Sequence, residues 1–122
     1  MLTDKRLQRN RQWLLDQRTR LLAEMEGIDA AIDGSERPGL GTHMADNASE
    51  VFEQARNAGV LLRLRNTLEL VDRALLKMDK GGYGTCEGCG QAIDPARLKA
   101  LPHCSLCMAC QSRAELSSPH RR

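Results

Sequence analysis

With 122 residues and only three aromatics, Trp13, Phe52 and Tyr83, the chain lacks both the length for several domains and the rings that fill large globular cores. Its net charge of +2 hides an asymmetry: residues 24–53 hold eight acids (Glu24, Glu26, Asp29, Asp33, Glu36, Asp46, Glu50, Glu53) against Arg37 alone, so this stretch carries −7 and the remainder +9. That is not the evenly basic surface of a nucleic-acid binder. No apolar run approaches the roughly 20 residues that cross a bilayer, and the opening MLTDKRLQRNRQ has no signal-peptide core, so a cytoplasmic protein without a membrane span is expected.

The first predicted element is a helix over residues 4–33. Leu7, Leu14, Leu21 and Ile28 recur every seven residues, and Met25 and Ile32 widen the stripe into a coiled-coil seam whose weak positions are Arg11 and Arg18. A turn follows in SERPGLGT, residues 35–42. A second helix is expected over residues 45–80, with Ala48, Val51, Ala55, Ala58, Leu61, Leu64, Leu68, Val71, Leu75 and Met78 at spacings of three and four, closed by Gly81-Gly82. At 1.5 Å per residue it would run roughly 54 Å. Two long amphipathic helices joined by a short loop fold back antiparallel, because each must bury its stripe on something. The acids then gather at a tip near residues 34–48, and Lys5, Arg6, Arg9 and Arg11 lie beside Arg73, Lys77 and Lys80 at the base. The fold class is all-α: a coiled-coil hairpin over residues 1–82, and a small lobe with a short terminal helix and disordered tail over 83–122.

All five cysteines fall in TCEGCGQAIDPARLKALPHCSLCMACQ. Five clustered thiols in a reducing compartment point to metal rather than disulfides. Cys86-x2-Cys89 supplies one pair, in a turn rich in glycine. Cys104-x2-Cys107 and Cys107-x2-Cys110 compete for the second, leaving 14 or 17 residues between pairs. The usual window of roughly 15 to 20 favours Cys86, Cys89, Cys107 and Cys110, with His103 as a substitute ligand of lower rank. One zinc ion in four thiolates has no open position to activate water, so the site reads as structural. It would stabilise a lobe whose apolar content, Ile93, Leu98, Leu101, Leu106 and Met108, is too small to fold alone. SLCMACQSRAEL reads as a helix carrying the last two ligands. Cys104 is left over, a candidate redox thiol.

These residues resemble the zinc finger of the DksA/TraR family of bacterial transcription regulators. The resemblance rests on Tyr83-Gly84, Cys86, Cys89-Gly90, Ile93 with Arg97-Leu98, and Cys107 with Cys110; ADNASEVFEQ upstream is similar to the family's tip segment. It implies a hairpin whose tip enters the secondary channel of RNA polymerase and modulates initiation. The family's strongly active members carry D-x-x-D-x-A at the tip. Here the aligned residues are His43, Asp46 and Ala48, so the first Asp is replaced. Arg63 and Arg65 are further candidates to meet the polymerase. Positions that are basic where the family binds the alarmone ppGpp align with Leu70, Leu101 and Gln111, which implies little or no ppGpp response.

No nucleophile–base constellation suggests an enzyme, and no sequence-specific DNA contact is expected. The competing readings are a nucleic-acid-binding zinc module, against which stand few finger cations (Arg97, Lys99) and no stacking aromatic beyond Tyr83, and a redox-responsive regulator using Cys104. Asp46 also fits a plain helix N-cap.

Overall fold

The computed structural model describes residues 3–35 and 44–117, and the side chains of residues 3–29 and 48–117. Four helices follow in order: α1 (Asp4–Ser35), α2 (Met44–Lys80), α3 (Pro95–Ala100) and α4 (Met108–Ser117). Among the described residues there is no strand beyond an isolated bridge between Thr85 and Ala92. The architecture is an all-α helical hairpin with a four-cysteine lobe.

Thr3 opens α1. Its hydroxyl accepts the backbone N–H of Arg6 at 3.2 Å, which satisfies one of the donors a helix start leaves orphaned, and its carbonyl accepts that of Leu7 at 2.9 Å as the first bond of the helix. Helix α2 stops where Gly81 and Gly82 take φ of +94° and +96°, a left-handed backbone that a side chain would resist.

The seam of α1 holds Leu14 and Leu21 buried, with Leu7, Met25 and Ile28 half-buried. Its intermediate positions are Asn10 and Gln17, not Arg11 and Arg18: the chain steps by three from Leu7 and Leu14 where the sequence reading stepped by four. Arg11 points outward and pairs with Asp79 of α2 at 2.8 Å. The same choice recurs in α2. Leu61 and Val71 are buried and Leu64, Leu68, Leu75 and Met78 half-buried, as the stripe required, and Ala74, outside the predicted stripe, is buried with them. Upstream, however, Ala48, Val51, Ala55 and Ala58 are exposed, and Glu50, Gln54 and Asn57 continue the register of Leu61. Exposed alanines cost little, and the long stems of Glu and Gln cover apolar surface while their heads stay in water. Propensity therefore offered no resistance to that register.

The chain packs as two units that part within the helices, whereas the sequence divides at residue 82. One comprises Met1–Gln17 with Leu70–Arg122, the other Arg18–Glu69. In the first, Leu14 and Val71 are fully buried and Trp13 stacks on His103, with ring centroids 5.7 Å apart and planes 9° from parallel. In the second, Leu21 and Leu61 are the buried apolar residues among those described. No helix among the described residues is long and apolar enough to cross a membrane.

The lobe contains a helix that periodicity did not flag. Asp94 accepts the N–H of Ala96 at 3.0 Å and Pro95 takes the first helical position, a start signal compressed into two residues. This six-residue helix places Leu98 beside Ile93, both almost completely buried, with Cys86 and Cys110. Leu101 and Met108, expected in this miniature core, are instead 42 % and 67 % exposed; Leu106 packs against it. Helix α4 begins at Met108, so Cys107 precedes it and only Cys110 of the expected two lies within it.

Candidate metal centre

The first turn of the lobe is a knuckle tied by its own backbone. The N–H of Gly90 donates to the Cys86 carbonyl at 2.9 Å and that of Cys86 to the Gln91 carbonyl at 2.8 Å, with Gly90 at φ +76°. A second tie, from the N–H of Glu87 to the Ser105 carbonyl at 2.9 Å, brings the distant pair alongside. As a result the Sγ atoms of Cys86, Cys89, Cys107 and Cys110 all lie within 4.8 Å of one another. Cys89 and Cys107 are 3.9 Å apart. Tetrahedral zinc with Zn–S near 2.3 Å separates its sulfurs by roughly 3.8 Å, so the donor set fits that ion.

The surroundings suit thiolates. Cys86 Sγ accepts the N–H groups of Gly88 and Cys107, each at 3.3 Å, and Cys107 Sγ that of Cys110 at 3.5 Å. The Cys107 N–H is the chief reason the Cys86 thiol falls to about 6; the Cys110 N–H likewise lowers Cys107. Cys110 is pushed up to about 11, first by the neighbouring Cys86 and Cys107 sulfurs, although the Arg113 guanidinium donates to it at 3.2 Å. Sulfurs packed this closely repel as anions, and a dication at their centre removes that repulsion. Outside the cluster, Glu87 takes hydrogen bonds from Lys77 and Arg73 of α2. They hold its carboxyl below the usual range, Lys77 foremost, and tie the knuckle to the helix.

Gly88 is the tightest point. A Cβ there would sit 3.0 Å from Cys110 Sγ and 3.2 Å from its Cβ. Neither atom can retreat without moving a donor sulfur, so Gly88→Ala is expected to speed zinc release to a chelator by about tenfold, measured with a chromogenic dye.

Cys104 stands outside the four-sulfur set. It packs on the lobe core, and burial pushes its thiol up, which makes it a poor thiolate. His103 is also outside. Its ring lies on Trp13, its Nδ1 is buried without a hydrogen-bond partner, and desolvation lowers its pKa.

The remaining candidates lie elsewhere. Ala48, Arg63 and Arg65 are exposed on α2. His43 and the side chain of Asp46 lie outside the described residues, as do residues 36–42 of the predicted turn, whose first residue, Ser35, still belongs to α1. Since α2 begins at Met44, Asp46 is the third residue of the helix and not its N-cap. Leu70, Leu101 and Gln111 line one open groove of about 450 Å³ together with Arg97 and Glu115. Gln111 there donates to the Glu115 carboxylate at 3.3 Å. Sequence reasoning missed Asn10, the buried polar residue of α1, whose amide donates to Tyr83 Oη at 3.1 Å; its only signal was a polar residue three steps beyond Leu7.

Residues 81–116 match the family model described as prokaryotic dksA/traR C4-type zinc finger. Over 116 residues the chain is 34% identical to general stress protein 16O of Bacillus subtilis, covering 93% of this chain and 71% of that protein. It is 33% identical over 85 residues to the RNA polymerase-binding transcription factor DksA of Escherichia coli, 62% of this chain and 56% of that one. With the Caulobacter vibrioides protein of the same name it shares 35% over 72 residues, 59% of this chain and 51% of the relative. The chain thus matches only about half the length of these two relatives. The solved structure of transcription factor DksA2 from Pseudomonas aeruginosa matches with a TM-score of 0.77 and 31% identity, over 96% of this chain and 88% of that one. A likeness that runs through both long helices and the four-sulfur lobe leaves one assignment: the chain belongs to the DksA/TraR family.

Proposed function

We propose that this protein binds RNA polymerase and regulates transcription initiation, its hairpin tip entering the secondary channel. The observation that carries this reading is the DksA2 likeness over 96% of the chain; relatives named for polymerase binding, at 33 to 35% identity, support it. The chemistry of the lobe agrees. Cys86, Cys89, Cys107 and Cys110 would hold one zinc ion with no free coordination position, which suits an anchor and not a catalyst. Bound zinc fixes the fold of the lobe, and the chain's own residues make the contacts: Asp46 with Ala48 and the residue at 43 at the tip, Arg63 and Arg65 along α2. Val51 and Phe52, 63 % and 76 % exposed beside Ala48, supply apolar surface for a protein partner. A cytoplasmic setting follows from the same partner.

The protein acts with little or no ppGpp. The groove holding Leu70, Leu101 and Gln111 offers Arg97 as a cation, but its guanidinium already donates to the Leu106 carbonyl at 3.0 Å, and Glu115 adds a negative charge. A redox role for Cys104 is disfavoured by its raised pKa.

Pull-down and native mass measurement with core RNA polymerase test the reading. Wild type and Asp46→Asn are expected to bind alike, while the variant loses about tenfold in its effect on promoter transcription in vitro. That is the scale of one charge-assisted hydrogen bond. No binding by wild type overturns the reading; unchanged transcription in the variant overturns only the tip mechanism.

A further inference from the structure

Beside the start of α1 three cationic side chains close on one cavity. It measures about 260 Å³ and is lined by Arg6, Arg9, Asn10, Pro95, Ala96 and Lys99. Arg6 and Arg9 are three residues apart and share a face of α1, and Lys99 reaches in from α3. No carboxylate is among the lining residues. Several other cations of this unit are engaged: Arg11 with Asp79, Arg73 and Lys77 with Glu87, Arg97 with the Leu106 carbonyl and Arg113 with Cys110 Sγ. Among the described residues the side chains of Arg6, Arg9 and Lys99 have no ion pair or hydrogen bond. Asn10 fixes the floor, since it is 5 % exposed and its amide is already bonded to Tyr83 and Leu98.

Three like charges around one hollow repel each other, and a ligand that balances them relieves that cost. A single carboxylate would leave two charges uncompensated. A terminal phosphate carries about −1.5 to −2 at neutral pH and offers three acceptor oxygens, and guanidinium forks match its geometry in pairs. The volume lies just below the roughly 300 Å³ at which pockets begin to enclose drug-sized ligands, which suits the phosphate head and not a whole large molecule. We propose that the cavity between Arg6, Arg9 and Lys99 is a binding site for a terminal phosphate group. This group belongs either to a small soluble phosphate ester or to the 5′ end of a nucleic acid. Nothing in the cavity depends on polymerase binding, and it is separate from the groove that holds Leu70, Leu101 and Gln111.

Calorimetry and thermal melts of the zinc-loaded full chain test this at fixed ionic strength. The probes are pyrophosphate and a DNA 12-mer with and without a 5′-phosphate. Pyrophosphate is expected to bind one to one and raise Tm, with affinity falling at least tenfold in Arg6→Gln and Arg9→Gln and unchanged in Arg56→Gln, an exposed arginine of α2. Circular dichroism checks that these exposed substitutions leave the helices intact. Binding of pyrophosphate alone assigns the soluble source; an Arg9-dependent preference for the 5′-phosphorylated strand assigns the nucleic-acid end. Equal affinity in the two cavity variants, a Tm rise reproduced by chloride, or DNA binding indifferent to the 5′-phosphate and to pyrophosphate competition each overturn the proposal.

Discussion

Replacing Cys107 by serine is expected to cost the lobe its metal and its fold, while replacing Cys104 by serine costs neither. Cys107 belongs to both possible C-x2-C pairs and Cys104 to only one, and geometry agrees with the spacing that favours Cys107. Cys107 Sγ lies 3.9 Å from Cys89 Sγ and inside the four-sulfur cluster, whereas Cys104 packs against the lobe core outside that cluster. Structural zinc sites contribute an apparent 10 to 16 kcal/mol, and below about 40 residues a chain rarely holds itself together without such a staple. Among the described residues, the buried cluster of the lobe is Ile93 and Leu98 with Cys86 and Cys110. Losing one of four thiolates should therefore weaken retention by roughly a hundredfold or more, the upper range for changes even to outer-shell partners. Atomic absorption after gel filtration against a mild chelator is expected to give one zinc per chain for wild type and Cys104→Ser, and far less for Cys107→Ser. Far-UV circular dichroism should show the variant losing the short helices α3 and α4 and keeping α1 and α2. Full zinc in Cys107→Ser, or loss in Cys104→Ser, would reverse the choice of ligands.

The contrast between these two thiols also shows what the sequence could carry. Ligand choice was legible because a paired knuckle has a spacing window with a physical origin, the reach of one tight turn to the next. The helices were legible because their leucines recur over 32 and 37 residues and Gly81-Gly82 punctuates the end of α2. Register within the seam was not. From Leu7 both Asn10 and Arg11 are one turn on, and from Leu61 back both Asn57 and Ala58 are. At the first fork neither member is apolar, and what selects Asn10 is a partner 73 positions away in Tyr83. Helix α3 was hidden for another reason: six residues are too few for periodicity, and only the Asp94-Pro95 start betrays it. The basic cavity joins residues about 90 positions apart, a proximity that no local pattern encodes.

Asn10 is where that missed register has its largest consequence, and Asn10→Asp is expected to destabilise the protein by about 2 to 4 kcal/mol. The side chain is 5 % exposed, and its Nδ2 donates to Tyr83 Oη at 3.1 Å and towards the Leu98 carbonyl at 3.5 Å. Tyr83 Oη in turn donates to the Pro102 carbonyl at 2.8 Å. One chain of donors thus links α1 to three points of the lobe. Aspartate is isosteric but replaces the donor by a charged acceptor facing a carbonyl and a phenol oxygen, so a buried charge is left without a partner. Tyr83→Phe removes the middle of the chain and is expected to cost about 1 to 2 kcal/mol. Combined with Asn10→Ala it should show a coupling near 1 kcal/mol in urea unfolding of the zinc-loaded protein. Burial pushes the Tyr83 hydroxyl up to about 12 from 10. A raised folded-state value means that the stability it supplies is complete below pH 10 and is lost as pH rises towards 12. Discounted for partial exposure, that alkaline loss is about 1 to 2 kcal/mol. The wild type should therefore converge on Tyr83→Phe between pH 10 and 12. Parallel pH profiles for the two proteins would mean that the phenol does not hold the lobe to α1.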